Sequence, residues 1–202
     1  MRVLAGRFLF AAAITGTLAA SQPRVLDTAT NVTYNGVTRN GIELFLAIPY
    51  AEDTAGKNRF KPPVPHKPAS GTTVNATSYG PACPQPSGQP GLYPLVLSNI
   101  TDVSEVCLIL NVARPNNTCP GSKFAVMVFI HGGSFWAGSN AEITTAPDGL
   151  ILQSVENKLP VIHVAMNYRL GGTSRPCLLL GIVLTLPSVR LRSISSPETR
   201  RF

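Results

Sequence analysis

The stretch from Phe124 to Ser139, F-A-V-M-V-F-I-H-G-G-S-F-W-A-G-S, limits what this chain can become more than any other. Its first seven residues, Phe124 to Ile130, are all apolar and rich in β-branched and aromatic side chains. Such a run reads as a strand buried on both faces, as strands of a parallel sheet are. It passes directly into His131-Gly132-Gly133-Ser134, where two glycines allow a sharp turn that leaves backbone N–H groups pointing outward. N–H groups at the end of a buried strand can stabilise negative charge on an oxygen. In acyl-transfer enzymes this is the oxyanion hole, and loss of one donor costs about a hundredfold or more in rate. The plainer reading is a glycine-rich turn closing a core strand. Phe135, Trp136 and Gly138, which follow the pair, favour the catalytic reading.

The string His131 to Ser139 resembles the oxyanion loop of the type-B carboxylesterases, the cholinesterase and fungal-lipase branch of the α/β-hydrolases. Other segments resemble that family in its own order. Leu46-Ala47-Ile48-Pro49-Tyr50-Ala51 and Asn58-Arg59-Phe60-Lys61-Pro62-Pro63 are similar to its N-terminal signature, Ser104 to Val112 to its "SEDCLxLNV", and Asn167-Tyr168-Arg169-Leu170-Gly171 to its "NYRLG". Val106 stands where the family has Asp, and nothing after Gly172 resembles it. The resemblance implies the N-terminal part of an α/β-hydrolase fold, with a small antiparallel sheet leading into a mostly parallel central sheet. It also implies a serine esterase or lipase acting on small-molecule or lipid carboxylic esters, with no cofactor. Gly133 and Ser134 would donate N–H groups to the tetrahedral intermediate, and Gly132 would give the loop its turn. A third donor would follow the nucleophile.

The net charge of +7 invites a nucleic-acid partner, but its distribution removes that argument. Arg2 and Arg7 lie in the first twenty residues, and Arg175, Arg190, Arg192, Arg200 and Arg201 near the other end. Between Ser21 and Gly172, ten Lys/Arg face nine Asp/Glu, so the body is nearly neutral. Residues 1–20 read as a secretory signal peptide: Arg2 and Arg7 supply the basic start, Phe8 to Ile14 the apolar run, and Leu18-Ala19-Ala20 the small-residue cleavage site. That run is too short for a stable membrane span. Four N-glycosylation sequons, at Asn31, Asn75, Asn99 and Asn116, agree with a secreted, extracellular protein.

Val32 to Tyr34 and Ile42 to Ala47 read as short strands with turns at Asn35-Gly36 and Asn40-Gly41. Residues 52–94 are dense in Pro, Gly, Ser and Asn and read as a long surface connection. Phe60, Pro62, Pro63 and Pro65 are expected to pack it down. Leu108 to Val112 predicts a strand ended by Arg114-Pro115. Leu150, Ile151, Val155 and Leu159 sit at near-helical spacing, and Pro160 to Met166 is a second buried-strand run. Strand, helix, strand predicts a βαβ unit. In a secreted chain Cys83 and Cys107 are expected to form a disulfide, and the resemblance points the same way. Cys119 and Cys177 are left over. No Cys/His spacing suggests a metal site.

None of the three histidines reads as a catalytic base. His66 lies in the Pro-rich connection, His163 inside a strand, and His131 is expected to hold the loop by hydrogen bonds. Phe135 and Trp136 either line an acyl or alcohol pocket or pack on the loop. An esterase of this type needs its nucleophile in G-x-S-x-G, and no serine of the chain has that context; Gly172-Thr173-Ser174-Arg175-Pro176 fails at its last position. The nucleophile, acid and base are thus expected to be absent, leaving the oxyanion loop. Residues 21–172 read as the N-terminal part of a type-B carboxylesterase domain. Residues 173–202, dominated by Ser, Leu and Arg, read as a non-homologous tail, disordered or mis-spliced. The alternatives to a truncated, inactive esterase are a non-catalytic binding module of the same fold and a short isoform.

Overall fold

The structure is a computed structural model and describes residues 22–86, 100 and 102–171. The first strands, β1 (Arg24–Asp27) and β2 (Val32–Asn35), pair antiparallel, and β5 (Thr73–Asn75) adds to β2 in parallel. A second, five-stranded sheet contains β3 (Val37–Arg39), β4 (Ile42–Pro49), β6 (Ile109–Pro115), β7 (Ala125–Ile130) and β8 (Val161–Met166). Its order is β3-β4-β6-β8-β7. Pairing is antiparallel from β3 to β8 and parallel between β8 and β7. Among the described residues, the parallel part of the sheet is this one pair.

Turn chemistry explains the start. Asn40 and Gly41, at φ of 49° and 80°, form the two-residue connection that closes β3 on β4, the arrangement a twisted hairpin favours. Asn35-Gly36 does something other than the hairpin turn expected. Strands β2 and β3 lie in different sheets, and Gly36 is where the chain crosses between them. A Cβ at Gly36 would stand 2.4 Å from the Leu44 carbonyl oxygen, so only glycine permits that approach. Strand β6 runs through Arg114-Pro115 instead of stopping before them. The Arg114 guanidinium bonds the opposing Glu43 carboxylate at 2.6 Å, and Pro115 occupies the final position, opposite Ile42.

Strands β7 and β8 flank helix α1 (Asp148–Glu156), as the βαβ reading expects. The helix is tied down less by its apolar face than that reading implies. Only Ile151 is buried, while Leu150, Val155 and Leu159 remain exposed. Arg39 instead grips Asp148, at the start of α1, with Nε on Oδ1 at 3.0 Å and a second bond to Oδ2. Ile151 joins Ile42, Leu44, Leu46 and Ala113 in one core cluster. A second cluster gathers Tyr50, Ala51, Leu108, Met166, Tyr168 and Leu170 around the Cys83–Cys107 disulfide.

Two packing expectations are corrected. The run Ala125–Ile130 is not buried on both faces: among the described strands β7 lies at the edge, and Val126, Met127, Val128 and Ile130 are each at least 40% exposed. An apolar run becomes a buried strand only when neighbours cover both faces. Phe60 is 49% exposed, and Pro62 and Pro65 are exposed too. That connection is pinned by polar contacts, with the Tyr50 carbonyl accepting from His66 N–H at 3.1 Å and the Lys61 carbonyl from Arg169 at 2.8 Å. Among the described residues no helix is long and apolar enough to cross a membrane.

Candidate functional site: the turn at the end of β7

Strand β7 pairs with β8 from Ala125 opposite Val161 to Ile130 opposite Met166, so both deliver their next residues to the same end of the sheet. There Asn167, fully buried, organises the surroundings. Its N–H donates to the Ile109 carbonyl at 3.0 Å and its Nδ2 to the Pro81 carbonyl at 3.0 Å. Its Oδ1 accepts Asn140 N–H at 2.7 Å, and its carbonyl accepts the Tyr50 hydroxyl at 2.6 Å. Tyr168 donates its hydroxyl to the His131 carbonyl at 2.9 Å, and the two rings stack with centroids 4.4 Å apart. His131 is therefore the floor of the loop. Its Nδ1 meets the Gly132 carbonyl at 2.9 Å; an oxygen can only accept, so Nδ1 carries the hydrogen. Burial pushes its pKa down, which keeps it neutral.

Above this floor the backbone is left-handed for three consecutive residues, Gly133, Ser134 and Phe135, at φ of 103°, 55° and 59°. Gly132 does not make the turn, as the motif reading has it; the reversal begins one residue later, because there the chain must fold back on itself. The Gly133 carbonyl accepts from both Trp136 N–H at 2.9 Å and Ala137 N–H at 3.1 Å. A Cβ on Gly133 would lie 1.9 Å from the Ala137 carbonyl oxygen. Holding Ser134 and Phe135 at positive φ costs of order 1–3 kcal/mol each, a strain that accumulates at functional sites. Among the described residues, neither the Gly133 nor the Ser134 N–H is engaged by a protein acceptor. Gly133 is half-buried and Ser134 exposed.

The rest of the loop is anchored. Gly138, at φ of 123°, exchanges two hydrogen bonds with the Gln85 side chain. Ser139 N–H donates to Glu142 Oε1 at 3.0 Å, and Gly171 N–H to the Phe135 carbonyl at 2.8 Å. Phe135 packs edge-on to Tyr168, ring centroids 6.2 Å apart, while Trp136 is 55% exposed. Packing on the loop thus accounts for Phe135. His66 bonds Glu52 at 2.9 Å in its surface loop, and His163 lies inside β8 against Phe129. Among the described residues neither is bonded to a serine.

The sequence motifs come together around this turn. Cys83 and Cys107 are joined, closing a 24-residue separation beneath the loop. Val106 points to solvent at 55% exposure, so the bridge closes without an acid there. Beside it, Arg59 of the second motif pairs with Glu105 of the third, Nε to Oε1 at 2.7 Å. Asn31, Asn75 and Asn116 are exposed, whereas Asn99 lies outside the described residues, as does Cys177. Cys119 is exposed and a free thiol. Gln85, Asn140, Glu142 and Asn167 went unnoticed in the sequence as parts of the site. Only Asn167 carried a signal, as the first residue of the "NYRLG" segment.

This sheet, whose parallel pair ends in the left-handed turn, matches the N-terminal part of α/β-hydrolase structures such as that of Aspergillus niger EstA. The carboxylesterase family matches residues 28–173. The chain belongs to that family. It is 49% identical over 158 residues to the secreted lipase ARB07186/07185 of Arthroderma benhamiae, an alignment covering 78% of this chain and 27% of that protein. It is 45% identical over 151 residues to the inactive carboxylesterase-like protein VdtD of Byssochlamys spectabilis, covering 75% and 26%. The crystal structure of Aspergillus niger EstA superposes with a TM-score of 0.60 at 32% identity, over 76% of this chain and 27% of EstA. The chain thus spans about a quarter of the length of the relatives it matches.

Proposed function

We propose that Gly133 and Ser134 are the oxyanion donors of a secreted carboxylic ester hydrolase of the serine esterase or lipase type. The reading rests on one observation: two N–H groups that no acceptor among the described residues engages, in a strained, left-handed turn at the end of β7. When a serine attacks an ester carbonyl, its oxygen gains negative charge. Fixed N–H donors stabilise that charge without having to reorganise. Gly132 precedes the donors, and His131, held neutral by burial, supports them. Cleavage from residues 1–20, the Cys83–Cys107 bridge and glycans on Asn31, Asn75, Asn99 and Asn116 fit the secretory route, as does the likeness to a secreted lipase.

The 202 residues hold no G-x-S-x-G serine, and oxyanion donors act only on a charge that a nucleophile creates. The chain by itself is expected not to hydrolyse esters. Oxyanion stabilisation and binding alone leave about a thousandfold over water in triad enzymes, and then only with a complete pocket. The test is a short-chain p-nitrophenyl ester assay combined with fluorophosphonate labelling. A blank from this chain, and activity from one extended through a G-x-S-x-G segment, is the expected result. Stoichiometric labelling of a serine in these 202 residues overturns it. The 45% identity to an inactive relative favours a second reading, a non-catalytic member of the same fold. An extended chain that stays unlabelled and inactive selects that reading.

A further inference from the structure

The oxyanion loop is held from outside by a residue 53 positions upstream, in the Pro-rich connection. Gln85 Oε1 accepts Gly138 N–H at 2.8 Å, and Gln85 Nε2 donates to the Gly138 carbonyl at 2.9 Å. A β-strand residue makes the same two-way exchange with its neighbour; here a side chain makes it. Nε2 also donates to the Cys83 carbonyl at 3.1 Å, so the amide is oriented from its own side as well. Cys83 is 1% exposed and bonded to Cys107, which roots the clamp in the disulfide.

The clamp has a lever. A Cβ at Gly138 would lie 2.3 Å from His131 Nδ1 and 2.7 Å from the Gly132 carbonyl oxygen. The Gly138 backbone therefore rests directly on the two residues that lead into the donors. Whatever fixes Gly138 fixes where the turn begins. We propose that Gln85 is a positioning residue of the oxyanion loop, its carboxamide holding both polar atoms of Gly138 and so the entry to Gly133 and Ser134. It touches no reacting atom. The proposal rests on the esterase reading only for what the loop is for; the ordering of the loop is measurable without any activity.

The test is amide hydrogen exchange of the full chain, comparing wild type with Gln85→Leu and Gln85→Glu. Gln85→Leu removes all three hydrogen bonds. Exchange at Ala137 and Gly138 is expected to rise about tenfold, the loss of a net hydrogen bond or so, with β6 and β8 unchanged. Gln85→Glu supplies the control that a merely space-filling role fails. A protonated carboxyl is isosteric with the amide and both donates and accepts, whereas an ionised one only accepts. Protection corrected for intrinsic rates should match wild type at about pH 4; by about pH 7 the ionised side chain keeps the bond from Gly138 N–H but has no donor for the Gly138 and Cys83 carbonyls, so protection should fall below wild type without reaching the leucine level. His131 beneath Gly138 and Glu142 beside Ser139 titrate nearby, so wild type measured over the same range is subtracted. Unchanged exchange in Gln85→Leu, a rise shared equally by β6 and β8, or a Gln85→Glu profile parallel to wild type each overturns the proposal. Failure of an extended chain to hydrolyse esters leaves these exchange results standing, so the two readings fail separately.

Discussion

His131 lies under the loop with 3% of its surface exposed, stacked on Tyr168 and donating to Gly132. Burial lowers its pKa, with the Gly132 carbonyl partly opposing, and burial also lowers that of His163. When pH falls below the ordinary imidazole value of about 6.5, the unfolded chain takes up protons that the folded chain refuses. Stability is therefore full above that value and is lost as pH drops through the imidazole range. Glu142 opposes this, because burial raises its carboxyl pKa and the folded state binds that proton more readily. Urea midpoints at about pH 7.5 and about pH 5 should differ in wild type and differ less in His131→Gln. An unchanged difference rules out His131 as the source. That His131 is structural was legible in the sequence through the resemblance of its H-G-G-S loop. Its stacking on Tyr168, 37 residues away, was not.

At the scale of elements, the strands were the most legible part. β4, β7 and β8 coincide with apolar runs, and the Asn40-Gly41 turn between β3 and β4 is local chemistry. The helix was half legible. Its spacing placed α1, but Ile151 alone is buried, and the Arg39–Asp148 pair that also ties α1 to the sheet joins residues 109 positions apart. The disulfide links the end of the Pro-rich connection to the residues entering β6, and its cluster includes the Tyr168 that bears on His131. Closing a loop of this size contributes about 3 kcal/mol in the chain-entropy model. Replacing Cys83 and Cys107 together by Ala should lower unfolding free energy by about that amount. It should also raise hydrogen exchange at Gly138, since Gln85 is anchored beside Cys83. Equal stability with and without the bond, by denaturant titration under oxidising conditions, counts against the first statement, and unchanged exchange at Gly138 against the second.

For the molecule as a whole, β7 is the feature with consequences. Four of its six residues are apolar and at least 40% exposed, and its outer edge has no neighbour among the described strands. Exposed apolar strand edges recruit other chains. The chain is expected to self-associate as concentration rises, in sedimentation velocity, and Val128→Lys should shift it toward monomer. A chain that stays monomeric at all concentrations shows that this edge is covered. The sequence by itself determined what depends on neighbours along the chain: the strand runs, the tight turn at Asn40-Gly41, the glycines at the end of β7 and the family motifs. Tertiary structure decided what depends on residues far apart. It made Gly36 a crossing between sheets, left β7 at an edge, and set Gln85 on Gly138 and Asn167 beneath the loop. Periodicity reports which surface a segment can bury. Which surface is covered, and which amide finds which carbonyl, depends on where folding brings distant segments together.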